Sequence, residues 1–265
     1  DMVVAPDPGE DKRVNDDHVL WLRSVSFKTY KGYFVPVLPS ADYSRMRGLD
    51  LDVIHVHGVA TMAVRGLILA HYLKIPAVMT FHTMVDDVMQ QYSPIRLPEG
   101  KLRGMVWLYL KNAMKRMDAV IAPTEAIGKE LTGHSQKIRL LRVIPTGVNT
   151  SVFRPGLDGG RFIEKYGLDD SRIVLFVGRI SFEKEIDMAI RAMKNVDGAS
   201  LIIAGAGPQK EELEGLVRDL GMENKVKFLG FVPDADLPYA YAAADAVISC
   251  SRFETQGLSI LEAMA

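Results

Sequence analysis

The chain has 265 residues, with 32 Lys and Arg against 33 Asp and Glu, and 48% of its residues are hydrophobic. Charged residues make up only 25% of the composition, which argues against a disordered chain or a coiled coil and predicts one large or two medium folded domains. The single cysteine, Cys250, excludes an internal disulfide. The sequence shows neither a signal peptide nor an apolar run near the ~20 residues of a membrane-spanning helix, so we expect a cytoplasmic protein.

The near-neutral total hides a charge asymmetry. Residues 1–156 carry 20 Lys and Arg against 15 acids, whereas residues 157–265 carry 12 against 18. A basic half is typical of proteins that meet a nucleic acid, an anionic membrane or an anionic small substrate, although an imbalance of this size also arises by chance. The basic residues are not interleaved with an aromatic platform or arranged in a known reading motif, so we expect no nucleic-acid partner.

Short apolar runs rich in β-branched residues recur along the first half, and segments with helical spacing lie between most of them. The runs cover residues 2–5, 52–57, 77–82, 119–122 and 142–145, and the helical segments include 60–72 and 102–117. The runs are almost continuously apolar, which is typical of strands covered on both faces. Their alternation with helices predicts βαβ units in a parallel sheet.

A second series of strands and helices follows. Its apolar runs cover residues 173–178, 200–205, 226–230 and 246–251, with helical segments at 187–193, 209–220 and 236–244. The stretch between the two series is rich in turn formers and lacks periodicity, as in a linker. We therefore predict an α/β protein with two Rossmann-like, doubly wound parallel-sheet domains, at residues 1–145 and 158–265, joined by a linker at 146–157. The chain lacks an initial Met and ends inside a helical pattern, so we expect both domains to be incomplete.

Residue types suited to ligand binding follow several of the predicted strands. They are His55 and His57, His82, Gly178 with Arg179, Gly205 with Gly207, and Ser251 leading to Glu254. A doubly wound sheet binds ligands at the carboxyl ends of its strands. The pattern therefore predicts a cleft shared by the two domains.

The segment 251–265 carries the strongest motif. Glu254 lies in the loop after a strand, and Gly257 allows the chain to turn into a helix whose first N–H groups are free to bind an anion. Glu262 lies on the helix face that carries Leu258, so both carboxylates can reach one ligand, and carboxylates bind sugar and ribose hydroxyls well. A solvated Glu254 and a surface Glu262 explain the pattern about as well.

Gly178, Arg179 and Lys184 follow the first strand of the second series. Arg179 and Lys184 can converge on a diphosphate across a loop, while Gly178 allows close approach of the backbone. Surface charges, with Lys184 paired to a neighbouring glutamate, are the alternative. Gly205 begins a Gly-Ala-Gly-Pro turn, but the third glycine of a dinucleotide fingerprint is replaced by Lys210. A close strand-to-helix turn that admits a neighbouring nucleotide is the better interpretation.

His82 ends the third strand pattern and is a candidate to donate to a substrate hydroxyl or to stabilise developing charge, with a structural histidine as the alternative. His55 and His57 alternate along one predicted strand and should point to opposite faces. This argues against a shared metal, and we take them as structural. Two Asp-x-Asp pairs, at 50–52 and 234–236, fit solvated or helix-capping roles better than a metal site.

The segment 101–117 carries five basic residues and no acid, together with Trp107 and Tyr109. A basic amphipathic helix of this kind can lie on an anionic bilayer. Such a helix more often simply covers a sheet.

Together these residues resemble the group 1 family of retaining glycosyltransferases, which have the two-domain GT-B fold. The matching segments run in family order: 52–57, 80–82, 145–153, 178–184, 205–208, 228–230 and 254–262, the last leading into Leu-Glu-Ala-Met-Ala. The resemblance implies transfer of a hexose from a UDP- or GDP-sugar to an acceptor hydroxyl with retention at the anomeric carbon.

The resemblance also implies a role for each matching residue. His82 and Glu254 are the catalytic candidates, and the donor-binding set is Gly178, Arg179, Lys184, Gly205, Gly257, Leu258 and Glu262. Arg179 and Lys184 would bind the diphosphate, Glu262 the ribose, and Glu254 the hydroxyls of the transferred sugar. Two cations and a helix N-terminus would stabilise the departing nucleoside diphosphate, so we expect no metal or other cofactor.

Segments 82–92 and 254–258 are similar to the branch of the family that glucosylates diacylglycerol and related membrane lipids. We therefore expect a lipid acceptor and peripheral attachment to the inner face of a membrane, with a glycan or small-molecule acceptor left open. A sugar-nucleotide epimerase on the same scaffold and a non-catalytic nucleotide-sugar-binding module are the competing hypotheses. Relative to the family pattern, the first strand with its glycine-rich loop and the last part of the second domain are absent.

Overall fold

The computed structural model describes residues 1–9, 13–14, 16–26, 34–37, 46, 48–59, 61–82, 99–169, 171–252 and 254–265. It divides into two compact units, Asp1–Pro145 and Thr146–Ala265, which we call the first unit and the second unit. The main sheet of each unit is parallel and alternates with helices along the chain. This confirms the α/β prediction.

The first unit begins with four short strands, before its main sheet. Strand β1 (Val3–Pro6) pairs in parallel with β2 (Val19–Leu22), and β3 (Ser24–Ser26) pairs antiparallel with β4 (Phe34–Pro36). The main sheet consists of β5 (Ile54–Val56), β6 (Ala77–Thr80), β7 (Ala119–Ala122) and β8 (Leu141–Val143). These four strands lie side by side in chain order and are all parallel, so their carboxyl ends share one edge.

Helices surround this sheet and complete the core of the first unit. They are α1 (Thr61–Leu73), α2 (Glu99–Arg116) and α3 (Glu125–His134). Met79 and Val120 of the sheet are fully buried together with Met114 of α2. Helix α3 begins after Thr124, whose Oγ1 accepts a hydrogen bond from Ile127 N at 3.3 Å and so satisfies one free donor of the first turn.

The second unit contains a parallel sheet whose strand order reverses. Its strands are β9 (Arg172–Val177), β10 (Ala199–Ala204), β11 (Val226–Gly230) and β12 (Ala246–Val247), in the spatial order β11-β10-β9-β12. The chain adds strands on one side of β9 and then returns to the other side with β12. This is the doubly wound arrangement, and the crevice between β9 and β12 is its topological switch point.

The helices of the second unit have the spacing expected for elements that cover a sheet. They are α4 (Gly160–Tyr166), α5 (Ile186–Met193), α6 (Lys210–Asp219), α7 (Leu237–Ala243) and α8 (Leu258–Met264), with a 3₁₀ turn at Phe182–Lys184. Helix α5 buries four residues on one face: Ile186, Ala189, Ile190 and Met193. This i, i+3, i+4, i+7 pattern is that of an amphipathic helix packed on a core.

Strand β10 explains why the strand patterns are continuously apolar. Leu201 and Ile203 belong to the core formed with α5 and α6, whereas Ile202 and Ala204 belong to the core formed with α4 and α7. Both faces of the strand are therefore covered, which explains why residues 201–204 are continuously apolar.

The structure contains elements that the sequence patterns did not predict. Strands β2, β3 and β4 and helices α3 and α4 are additional, and β12 pairs over only two residues of the run 246–251. Strand β3 has the sequence Ser-Val-Ser, which is too short and polar to show an apolar run. Within the described ranges, no helix combines the length and apolar character needed to cross a bilayer.

Candidate functional site

The switch point of the second unit brings together two of the predicted site residues. Lys184 lies on the 3₁₀ turn that follows β9, and Glu254 lies in the loop that follows β12. Lys184 Nζ donates to Glu254 Oε1 at 2.5 Å. The two side chains remain 22% and 34% exposed, so a ligand in the crevice can reach both. The alternative interpretation predicted that Lys184 pairs with an adjacent glutamate. In the structure its partner is Glu254 instead.

The 3₁₀ turn is held in place by its own polar contacts. Ser181 is buried, and its Oγ donates to Glu183 Oε1 at 2.6 Å. Glu185 then adopts a left-handed conformation with φ of 45°, and its carboxylate lies 3.1 Å from Arg252 Nε. Since Arg252 belongs to the loop after β12, this second ion pair also links the two loops on either side of the switch point.

Gly205 has a packing role that is sufficient to explain it. A Cβ at this position would lie 1.8 Å from Gly178 O, and a Cβ at Gly207 would lie 2.1 Å from Ile180 O. The backbones of the two loops touch because Ile180 N donates to Ala206 O at 3.0 Å, as Gly178 N does to Ala204 O. The loops after β9 and β10 therefore continue the sheet, and only glycine fits between them.

Arg179 lies between Gly178 and Ile180, within this paired segment. Its side chain is half-buried at the carboxyl edge of β9. The backbone on both sides of Arg179 is hydrogen-bonded to the next loop, which fixes the point from which the guanidinium extends. An arginine on a rigid backbone has less conformational entropy to lose when it binds an anion.

Helix α8 carries the remaining predicted residues of this unit. Gly257 precedes it with φ of 69°, a left-handed conformation that favours glycine, and Leu258 begins the helix with its side chain exposed. Glu262, one turn further on, is half-buried. Its Oε2 accepts a hydrogen bond from the hydroxyl of Tyr241 on α7 at 2.7 Å. Burial, followed by the contact with Glu262, raises the pKa of the Tyr241 phenol, so it remains a donor.

Gln256 anchors the loop that carries Glu254. Its Oε1 accepts from Thr146 N at 2.8 Å, and its Nε2 donates to Thr146 O at 2.7 Å. One side-chain amide thus satisfies both backbone groups of a single residue. The loop is therefore fixed two residues away from Glu254.

A second cluster lies at the carboxyl edge of the sheet in the first unit. His57 follows β5 and His82 follows β6, and the two strands are neighbours. His57 Nδ1 lies 3.0 Å from His82 Nε2, and their rings stack with centroids 5.2 Å apart. His55 Nε2 lies 2.7 Å from Oγ1 of the buried Thr80. Partial burial, and then the neighbouring histidines, lower the pKa values of His55 and His82.

The prediction that His55 and His57 point to opposite faces was wrong. Their ring centroids are 4.1 Å apart. Strand β5 ends at Val56, so His57 is outside the regular pleat and the alternation of side chains does not extend to it. Among the residues that the structure describes, no three His, Cys, Asp or Glu side chains form a group suited to hold a metal.

Helix α2 covers the core with one face, as one of the two interpretations of its sequence predicts, and its other face is exposed and basic. Its buried face carries Leu102, Val106, Trp107, Leu110 and Met114. Its outer face carries Lys101, Arg103, Lys111, Lys115 and Arg116, all exposed. Met105 and Leu108 on the outer face are 61% and 63% exposed. The helix therefore covers the core and also presents apolar side chains among cations to solvent. The neighbouring segment 83–92, which carried part of the resemblance to lipid glucosyltransferases, lies outside the described residues.

Two residues that make contacts around these sites were not singled out by the sequence. Tyr241 and Gln256 each bond to a residue that is distant in sequence, and no local spacing signals such contacts. His57 was named from its position after a strand but taken as structural, and its contact with His82 was not predicted.

The two units match known families. The family described as "Glycosyltransferase Family 4" matches residues 2–152, and "Glycosyl transferases group 1" matches residues 160–265. The alpha-monoglucosyldiacylglycerol synthase of Streptococcus pneumoniae is 32% identical over 227 residues, which cover 82% of this chain and 50% of that protein. The synthase of the same name from Acholeplasma laidlawii is 29% identical over 283 residues, which cover 99% of this chain and 69% of that protein.

A solved structure has the same fold. The crystal structure of Anabaena HepE in complex with UDP-glucose superposes with a TM-score of 0.70 at 25% identity, covering 84% of this chain and 59% of that one. This chain thus spans about half to two-thirds of the length of the proteins it matches. The family matches, the parallel sheets and the structural neighbour agree: the chain belongs to the group 1 family of glycosyltransferases with the GT-B fold.

Proposed function

We propose that the complete protein is a glycosyltransferase that moves a hexose from a UDP- or GDP-sugar to an acceptor hydroxyl. The observation that carries this proposal is the Lys184–Glu254 pair at the switch point of the second unit. It places a cation, suited to phosphate, beside a carboxylate, suited to sugar hydroxyls, where doubly wound sheets bind nucleotides. The HepE complex with UDP-glucose supports a nucleotide-sugar donor.

Different residues of the second unit bind different parts of the nucleotide sugar. Lys184 and Arg179 bind the diphosphate. The backbone N–H groups around Gly257 and Leu258 donate further hydrogen bonds to it. Glu254 accepts hydrogen bonds from the hydroxyls of the hexose. Glu262 accepts hydrogen bonds from the ribose. The Lys184–Glu254 ion pair must open or widen when the donor binds, since each partner then turns to a different part of the ligand.

The chemistry is charge stabilisation at the leaving group. As the glycosidic bond breaks, negative charge grows on the nucleoside diphosphate, and we propose that Arg179 and Lys184 stabilise it without a metal ion once the Lys184–Glu254 pair has opened. We assign His82 a role at the transferred sugar, held by its contact with His57. Partial burial and then His57 lower the pKa of His82, which favours the neutral ring, and in a neutral ring one nitrogen donates a hydrogen bond while the other accepts one. We propose that the anomeric configuration is retained, as the resemblance implies.

The acceptor that we propose is a membrane lipid of the diacylglycerol type. Two relatives bear the name alpha-monoglucosyldiacylglycerol synthase. The outer face of α2, with its exposed cations and with Met105 and Leu108, fits an anionic membrane surface. The protein would then act from the inner face of the membrane as a peripheral protein.

A transfer assay on the full-length protein tests the proposal. Labelled UDP-glucose, UDP-galactose or GDP-mannose is supplied with vesicles that contain diacylglycerol, and products are separated into lipid, free sugar and nucleotide sugar. Labelled glycolipid from one donor supports the proposal. An isomerised donor in the absence of acceptor identifies an epimerase, and binding of the donor without any product identifies a non-catalytic module.

The Glu254→Gln variant tests the site. It keeps the shape of the side chain but removes its charge, and we expect at least a 100-fold loss of transfer. The exposed Glu223 serves as a matched control, since it lies between α6 and β11, at the opposite edge of the sheet, and Glu223→Gln changes one charge of the same unit. Equal activity of the two variants would remove Glu254 from the site.

A further inference from the structure

We propose that Tyr241 is a positioning residue, which orients Glu262 for the ribose of the nucleotide. The proposal rests on the donor site proposed above and adds to it a residue that no motif contains. It is carried by one contact, in which the Tyr241 hydroxyl lies 2.7 Å from Glu262 Oε2. Tyr241 itself would not touch the nucleotide.

The direction of this hydrogen bond is fixed by chemistry. An ionised carboxylate can only accept, so the phenol of Tyr241 donates its single proton to Glu262. Partial burial of the phenol and the nearby carboxylate both disfavour the phenolate, so the hydroxyl remains protonated over the whole physiological range. The phenol therefore remains available as a donor to Glu262.

The phenol is itself held in position. The ring of Phe153 lies edge-on to the ring of Tyr241, with centroids 5.7 Å apart and an angle of 70° between their planes. Tyr241 is half-buried on α7, and Glu262 is half-buried on α8. The Tyr241 hydroxyl, positioned by the contact between the two rings, thus fixes Oε2 of Glu262 on helix α8.

The two oxygens of the Glu262 carboxylate have different surroundings. Oε2 is engaged by Tyr241, whereas Oε1 has no hydrogen-bond partner among the residues that the structure describes. A glutamate with both oxygens unrestrained rotates about its last bond and loses that freedom when it binds a hydroxyl. Fixing one oxygen in advance reduces this entropic cost and presents the other oxygen to a ribose hydroxyl.

Calorimetry with two nucleotides tests the role of Tyr241 in the full-length protein. We expect the wild type to bind UDP about tenfold more tightly than 2′-deoxy-UDP, because a hydrogen bond from a hydroxyl to a carboxylate is lost. In Tyr241→Phe, which keeps the ring and its contact with Phe153, we expect this preference to shrink to about threefold or less. Glu262→Gln serves as the reference, because it removes the charge of the carboxylate that is proposed to bind the ribose.

Tyr239 provides the matched control, since it lies on the same helix and its hydroxyl bonds to Arg161 at 3.3 Å instead. We expect Tyr239→Phe to keep the full preference for UDP. A general weakening of α7 would lower the affinity for both nucleotides and leave their ratio unchanged, so the ratio separates positioning from stability. Thermal unfolding of each variant establishes that it is folded.

The outcomes separate this proposal from the donor site beneath it. If Glu262→Gln loses the preference for UDP but Tyr241→Phe keeps it, Tyr241 does not position Glu262. If the wild type binds both nucleotides equally, the ribose role of Glu262 is wrong, and the role of Tyr241 falls with it. If the folded wild type binds neither UDP nor GDP, the donor site itself is wrong.

Discussion

Lys184 Nζ lies 2.5 Å from Glu254 Oε1, so two residues expected to bind different parts of one donor neutralise each other. Lys184 comes from the loop after β9 and Glu254 from the loop after β12. The pair keeps a cation and an anion partly out of water without leaving either charge uncompensated. It also makes the two halves of the donor site depend on one another.

This dependence predicts opposite effects of one substitution on two measurements. In Glu254→Gln, Lys184 loses its charged partner and becomes fully available to phosphate. We expect UDP, which lacks the hexose, to bind this variant at least as tightly as the wild type, and on the order of threefold more tightly at low salt. Isothermal titration with UDP at two salt concentrations measures the effect. Weaker binding of UDP would show that Glu254 helps to bind the nucleotide.

The paired loops predict a large stability difference between two glycines. In Gly207→Ala the new Cβ meets Ile180 O at 2.1 Å, and the loops must separate. We expect a loss of about 3 kcal/mol or more in the free energy of unfolding, at the upper end for overpacking. Gly215 lies inside α6, where a Cβ would meet only Arg218 Nη2 at 3.8 Å, an ordinary van der Waals contact, so Gly215→Ala should stabilise by about 0.5–1 kcal/mol. Urea unfolding compares the two. A Gly207→Ala variant as stable as the wild type would contradict the close contact of the loops.

The histidine cluster predicts how stability depends on pH. The pKa of His55 is lowered in the folded state, whereas an unfolded histidine titrates near ~6.5. As the pH falls through that value, the unfolded chain gains protons that the folded chain resists, so stability decreases below about pH 6.5. His55→Gln, which can still bond to Thr80, should show a smaller decrease in melting temperature between pH 7.5 and 5.5, by roughly 1–2 °C.

Two other groups do not interfere with this measurement. The pKa of Asp7 is lowered from 3.8 to about 2 by hydrogen bonds from Arg13 and from the backbone of Gly9. The pKa of Asp236 is lowered chiefly by Lys165. Both carboxyl groups contribute stability that is lost only below pH ~4, outside the range compared. Identical melting curves of wild type and His55→Gln at both pH values would show that His55 is not perturbed.

The outer face of α2 predicts a dependence of membrane binding on particular lysines. Replacing Lys111 and Lys115 with Gln should weaken binding to vesicles that contain phosphatidylglycerol by about 1 kcal/mol per charge, or on the order of 30-fold together. Replacing the exposed Lys129 and Lys137 of the same unit removes the same charge elsewhere. Co-sedimentation with anionic and neutral vesicles measures both pairs. Equal effects of the two pairs would reduce the attraction to net charge and remove α2 as the binding surface.

Much of the fold could be predicted because its main strands are covered on both faces. In β10, alternate residues from Leu201 to Ala204 enter two different cores, so this run is continuously apolar and visible in the sequence. Strand β3 and helix α4 could not be predicted in this way, because the first is three residues long and polar and the second has only Phe162 fully buried. The pattern of apolar residues in a sequence reflects which residues are buried. Short or half-exposed elements bury few residues, so they produce no clear pattern.

The candidate site was predictable at the strand ends but not in its contacts. Lys184 and Glu254 could be named because residues after parallel strands meet at one edge of a sheet. Their direct pairing, and the bond between Tyr241 and Glu262, depend on how loops and helices pack in three dimensions. Gly205 shows the same limit, since a close turn was predicted there but the contact of its backbone with Gly178 O depends on the neighbouring loop.

The bond between Gln256 and Thr146 has a mechanical consequence. Thr146 is the first residue of the second unit, and Gln256 grips both of its backbone groups. The loop that carries Glu254 is therefore tethered to the point where the chain enters this unit. A change in the path of the backbone at residue 146 would therefore displace Gln256, and with it the loop that carries Glu254, without first deforming the sheet.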